Sequence, residues 1–237
     1  MTNRIRYGLL CGILLVQGEV QGAINLLATR LIYPADATET SLMVRNDDGA
    51  PSLLQAWVDE GNANLGPDRS QAPFLVTPPV MRLGAGKGQA LRIYRVANRA
   101  LARDRESLFW LNVLGLPPRA KATGARVQIA YRTRIKLFYR PAGLAGSPRQ
   151  AVTHLVWRLE PGQGLRVRND SPFHISVSEV LLEGGQGPQA WREAALIPPL
   201  GELRLPMAGL KGVSHGRLRW IDDDGNYHEQ GFGLGGG

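Results

Sequence analysis

Residues 126–141 read RVQIAYRTRIKLFYRP, and this stretch restricts the fold more than any other. Its odd positions are Val127, Ile129, Tyr131, Thr133, Ile135, Leu137 and Tyr139, all β-branched, aromatic or large apolar residues. Its even positions include Gln128, Arg132, Arg134, Lys136 and Arg140. Such alternation marks a strand with one apolar face. The run is more than twice the usual strand length of about 5–6 residues. One sheet therefore uses only part of it. The stretch is either a long core strand of a sandwich or an edge offered to a partner chain.

Its neighbours read as strands too. Residues 26–33 (LLATRLIY), 40–46, 53–58, 89–96 and 105–114 are short β-rich runs. Residues 72–83 carry Pro73, Pro78 and Pro79, which confine them to edge or irregular β structure. Residues 115–124 read as the loop into the long strand. About seven strands at regular spacing predict an Ig-like sandwich. Residues 142–150 (AGLAGSPRQ) read as a flexible linker. Beyond it, residues 152–159, 164–169, 174–183, 189–196, 201–206, 216–221 and 227–232 predict a second sandwich, with a turn at 222–226 and a frayed glycine end at 231–237. No helix is predicted. The chain of 237 residues has room for two such cores.

The N-terminus reads as a targeting segment. Arg4 and Arg6 precede a short apolar run, residues 7–16, and a polar stretch places Val20 and Gly22 before a cleavage point. This is the pattern of a secretory signal peptide over residues 1–22. The run is well short of the roughly 20 residues of a spanning helix. Cys11 follows Leu10 rather than a small residue, which argues against a lipoprotein. The mature chain would begin near Ala23 and hold no cysteine, so its stability would rest on its cores rather than on disulfides.

The formal net charge is +8, yet no run of five like charges occurs. That pattern speaks against a nucleic-acid tail and leaves open an Arg-lined cleft for a carboxylate or acidic peptide. Catalytic and metal motifs are missing. Residues 84–88 (GAGKG) lack the first glycine and the Ser or Thr of a phosphate loop, and read as a hairpin turn. Residues 222–226 lack calcium-loop spacing. His154, His174, His215 and His228 form no paired ligand motif, and no Gly-x-Ser-x-Gly elbow is present. An enzyme is not indicated, nor any cofactor or metal.

Several stretches together resemble one family. Residues 101–117 (LARDRESLFWLNVLGLP) carry Asp104, Arg105, Glu106, Ser107, Trp110, Asn112 and Pro117 in the order of the signature of periplasmic pilus-assembly chaperones, the PapD-like family of Gram-negative bacteria. Residues 134–141 resemble that family's G1 strand, 28–34 its first strand, 72–83 its Pro-rich segment and 169–177 the opening of its second domain. The resemblance implies an all-β chain of two Ig-like domains in an L shape, bounded at 23–143 and 150–237. It implies a periplasmic chaperone that lends G1 to a pilus or fimbrial subunit, donor-strand complementation, and delivers it to an outer-membrane usher. Nucleic acid would not be a partner, and the free protein could cap its own edge in an oligomer.

By the same resemblance, Arg30 and Lys136 anchor the subunit's C-terminal carboxylate. Val127, Ile129 and Tyr131 are the donor positions. Glu106, Arg140 and Asp223 form an interdomain salt bridge. The loop before G1 and the lack of a flanking cysteine pair imply the short-loop subclass. The glycine tail departs from the family's usual ending. A rival reading is an adhesive or carbohydrate-binding sandwich, which would need an exposed aromatic platform. Trp57, Trp110, Trp157, Trp191 and Trp220 are instead spread over separate strands. A secreted hydrolase is disfavoured by the missing site.

Overall fold

The computed structural model describes residues 24–96, 99–118, 129–160, 162–185 and 187–234. These form two β-sandwiches in tandem. The first contains β1 (Ile24–Leu26), β2 (Arg30–Pro34), β3 (Glu39–Asn46), β4 (Ser52–Asp59), β5 (Phe74–Thr77), β6 (Val80–Leu83), β7 (Gly88–Arg95), β8 (Ser107–Leu116) and β9 (Tyr131–Arg140). One sheet has the order β1-β3-β7-β5 and the other β2-β9-β8-β4-β6. Their facing side chains make one core, with Leu42, Val44, Ile93, Leu111 and Leu137 fully buried. Full burial of a side chain of this size contributes about 1.5–3 kcal/mol.

The predicted strand over 26–33 is divided. β1 pairs β3 in one sheet, and β2 pairs β9 in the other. Leu27, Ala28 and Thr29 carry the chain across. Tyr33 fastens β2 in place: its ring is buried, and its hydroxyl donates to the Thr38 carbonyl while accepting from Arg95 N. The Pro-rich stretch is likewise broken at Pro78 and Pro79, where the chain leaves β5 in one sheet for β6 in the other. Residues 84–87 do not close a hairpin, because β6 pairs β4 while β7 pairs β3 and β5.

The second sandwich holds β10 (Val156–Glu160), β11 (Gly164–Asn169), β12 (Ile175–Gly184), β13 (Gln189–Trp191), β14 (Ala195–Ile197), β15 (Gly201–Leu205), β16 (Val213–Ile221) and β17 (Tyr227–Gly233). A sheet β10-β11-β15 faces a sheet β13-β12-β16-β17, with β14 also on β12. Two expectations are corrected. A short helix α1 (Pro148–Thr153) occupies the end of the predicted linker and the start of a predicted strand. Ser147 Oγ accepts from Gln150 N and Pro148 opens the first turn, a normal N-terminal arrangement. Gly231 and Gly233 are paired in β17 rather than frayed, and Phe232 stacks on Trp157 with centroids 4.0 Å apart.

Candidate functional site

β9 joins two environments. From Lys136 to Tyr139 it lies between β2, parallel, and β8, antiparallel, and Arg140 pairs with β2 alone. From Tyr131 to Ile135 only β8 pairs with it, because β2 begins at Arg30, opposite Lys136. The other flank of residues 131–135 is an open sheet edge among the described residues. The apolar face changes character at the same point. Ile135, Leu137 and Tyr139 are buried in the core, whereas Tyr131 is 47% and Ile129 55% exposed. Val127 lies outside the described residues.

Arg30 and Lys136 are register partners across β2 and β9, which brings two cations side by side. Arg30 is 6% exposed, and its Nη1 donates to the Ile221 carbonyl at 3.1 Å. Its Nε is buried without a hydrogen-bond partner. Burial lowers the Arg30 pKa, against the pull of Asp223 and Asp222. Lys136 is half-buried beside the Trp110 ring, its Nζ 5.8 Å from the centroid. Burial, and then the charge of Arg30, lower its pKa below the usual lysine value. No carboxylate among the described residues forms an ion pair with either cation. Two desolvated like charges are costly together, and an anion between them would relieve both.

The junction with the second sandwich is close by. Arg140 Nε donates to Glu106 Oε1 at 2.7 Å, and its Nη1 and Nη2 clamp Asp223 at 2.8 and 3.1 Å. Burial is the largest single influence on Arg140 and would lower its pKa, but Asp223 and Glu106 together hold it above the usual value. Glu106 is buried. Its Oε2 accepts from His174 N at 2.8 Å, and its own N–H reaches the Pro172 carbonyl at 2.9 Å. Local sequence builds both sides of this junction. Buried Asn169 donates to the Phe173 and Pro198 carbonyls, which shapes the turn that presents Pro172 and His174. Asp222 Oδ1 accepts from Asp224 N and Asn226 N, an Asx-type turn that presents Asp223.

One cluster escaped the sequence reading. Asp59, fully buried at the end of β4, takes Arg134 Nη2 at 2.7 Å and Asn112 Nδ2 at 2.7 Å. The available signal was a lone acid closing an apolar strand opposite a row of cations. Trp57, Trp157 and Trp220 are buried, so they offer no aromatic platform. Among the described residues no group of side chains could hold a metal ion, and no helix is long and apolar enough to cross a membrane.

Two sandwiches, with an open strand flank beside a cation pair that has no carboxylate partner among the described residues, are what the structure presents. Residues 23–145 match the family described as "Pili and flagellar-assembly chaperone, PapD N-terminal domain", and residues 150–232 match "Pili assembly chaperone PapD, C-terminal domain". The chaperone protein FimB/FhaD of Bordetella pertussis is 39% identical over 211 residues, 86% of this chain and 84% of that one. The crystal structure of the YadV chaperone superposes with a TM-score of 0.76 at 35% identity, covering 90% of this chain and all of that one. A chain of the Salmonella enterica SafA pilin–SafB chaperone complex gives a TM-score of 0.77 at 31% identity, covering 89% and 96%. The chain belongs to the PapD-like family of pilus-assembly chaperones. It is a chaperone and not an enzyme.

Proposed function

We propose that this chaperone is exported to the periplasm and captures pilus subunits by lending them the open flank of β9. The observation that carries this reading is the half-paired strand: residues 131–135 keep one flank free, directly beside the Arg30–Lys136 pair. Chaperone–pilin donor-strand complementation is a known form of β-augmentation, in which main-chain hydrogen bonds give affinity and alternate side chains give specificity. Here Ile129 and Tyr131, with Val127, fill the subunit's groove. Arg30 and Lys136 hold its terminal carboxylate through charge-assisted bonds. Glu106, Arg140 and Asp223 keep the two domains aligned.

Residues 1–22 act as the signal peptide, 23–143 as the donor domain and 150–237 as the second domain. The connection from Leu116 to Tyr131, without flanking cysteines, supports the short-loop subclass. The loaded chaperone delivers its subunit to an outer-membrane usher, and the free protein caps the open flank by self-association. Co-expression in a bacterial periplasm with a pilus subunit encoded beside this chain tests the reading. The wild type should co-purify with the subunit, and the Arg30→Ala/Lys136→Ala double variant should fold and recover none. A normal yield of complex from the double variant would remove the anchor from the proposal.

A further inference from the structure

Three cations share one face of the β2–β9 pair beside the proposed anchor: Arg30, Lys136 and, two residues before Lys136, Arg134. Arg134 and Lys136 lie against the same indole, with Cζ 4.7 Å and Nζ 5.8 Å from the Trp110 centroid. Among the described residues only one of the three has a carboxylate partner. Asp59, with no exposed side-chain surface, binds Arg134 at 2.7 Å and also takes Asn112 Nδ2 and Gly61 N. Two of those donors come from neighbouring strands and one from the loop after β4, and together they fix the carboxylate. The Arg134 side chain it holds is only 18% exposed.

We propose that Asp59 is a specificity-determining residue: by drawing Arg134 against the sheet it keeps the anion site to two cations, and so selects a single carboxylate over a doubly charged oxyanion such as hydrogenphosphate. The inference rests on the reading of Arg30 and Lys136 as a carboxylate anchor. One negative charge suits two cations of which one, Arg30, is already under the influence of Asp222 and Asp223 in the turn after β16. A second negative charge finds the adjacent cation, Arg134, already paired with Asp59. Without Asp59, Arg134 would stand beside the same indole as Lys136 with its charge uncompensated. The site would then present three cations in a row and would suit a dianion. Trp110 serves both states as the shared surface on which the two side chains rest.

The test titrates acetate and hydrogenphosphate separately into the protein and follows the Lys136 13Cε resonance. The wild type should respond to acetate and bind hydrogenphosphate no more tightly. Asp59→Asn should gain about tenfold in hydrogenphosphate affinity, the size of one added charge-assisted bond, with acetate nearly unchanged. Asp59→Asn/Arg134→Gln should return both affinities to wild-type values. If Asp59→Asn does not fold, the double variant still decides: a loss of hydrogenphosphate affinity relative to wild type would put Arg134 in the site and overturn the proposal. An unchanged ratio in folded Asp59→Asn overturns it as well, while an acetate response leaves the anchor reading standing. If neither ion moves Lys136 in any variant, both readings fall together.

Discussion

The two halves of β9 have the same alternation and opposite fates. Residues 136–139 are flanked by β2 and β8 and put Leu137 and Tyr139 into the core. Residues 131–135 have β8 alone, and the apolar face runs on through exposed Tyr131 to Ile129. Nothing in the local residue types separates the halves. What separates them is where β2 begins. Burial here is a property of the neighbour, and the same hydrophobic period is core at one end and stays exposed at the other.

The strongest test of that contrast places one charge in each half. Leu137→Asp buries a carboxylate in a site with no exposed surface, a cost of several kcal/mol, and about 5–15 kcal/mol is all the stability a typical domain has. It should prevent folding, read by circular dichroism and periplasmic yield. Ile129→Asp should leave the melting temperature within about 2 °C of wild type, in line with a surface change, and abolish subunit capture in pull-down. If Ile129→Asp also unfolds the free protein, the two halves are not different and the donor face is core.

Arg140 ends the buried half. Arg140→Ala strands Glu106, whose side chain is 1% exposed, and should cost about 3–5 kcal/mol of stability. Asp223 is too exposed to add much. Chemical denaturation would show this as a lower midpoint at unchanged slope, and an unaltered midpoint would make the clamp ornamental. At the boundary between the halves, Lys136→Met removes a desolvated cation crowded by Arg30. It should raise stability by about 1 kcal/mol while losing carboxylate-dependent capture. A destabilised variant would mean that Lys136 already has its counter-charge in the free protein.

The smallest effect is a pH trend with opposite signs. The folded Lys136 titrates below 10.5, through burial and the charge of Arg30. Between its lowered value and 10.5 the unfolded chain binds more protons, so stability of the free protein rises with pH across that window. Carboxylate binding requires the ammonium form and should weaken across the same window. Thermal melts and anion titrations over an alkaline pH series would show the two trends diverging in wild type. Both trends should be absent in Lys136→Met.

Strand positions were largely legible because alternation reports local burial. Residues 164–169 are β11 without adjustment, and 40–46 differ from β3 by one residue. Divisions within a run were less so. The run 26–33 keeps its apolar character while its two ends pair in different sheets, and residues 189–196 split into β13 and β14. Helix α1 had a readable start in Ser147 and Pro148, but its single buried pair, Ala151 and Val152, gives too little periodicity to outweigh strand propensity. The junction was beyond local reading, since the partners of Arg140 lie 34 and 83 positions away. Only the resemblance to a family brought those three residues together. Asp59 was missed for a similar reason: its meaning depends on Arg134, 75 positions on.

With the proposed carboxylate anchor at Lys136, the parallel register of β2 and β9 would make the chaperone a gauge of length. Lys136 would be its zero mark, fixed in place because Leu137 and Tyr139 cannot move without leaving the core. Ile129 stands seven residues before it, about 23 Å away along an extended chain. A subunit whose terminal carboxylate sits at the zero mark has every residue of its last segment assigned to a rung. Shortening that segment by one residue would turn each of its side chains to the opposite face. Under the proposed anchor, a subunit's last segment could change widely in composition, while the distance from carboxylate to groove would stay constant.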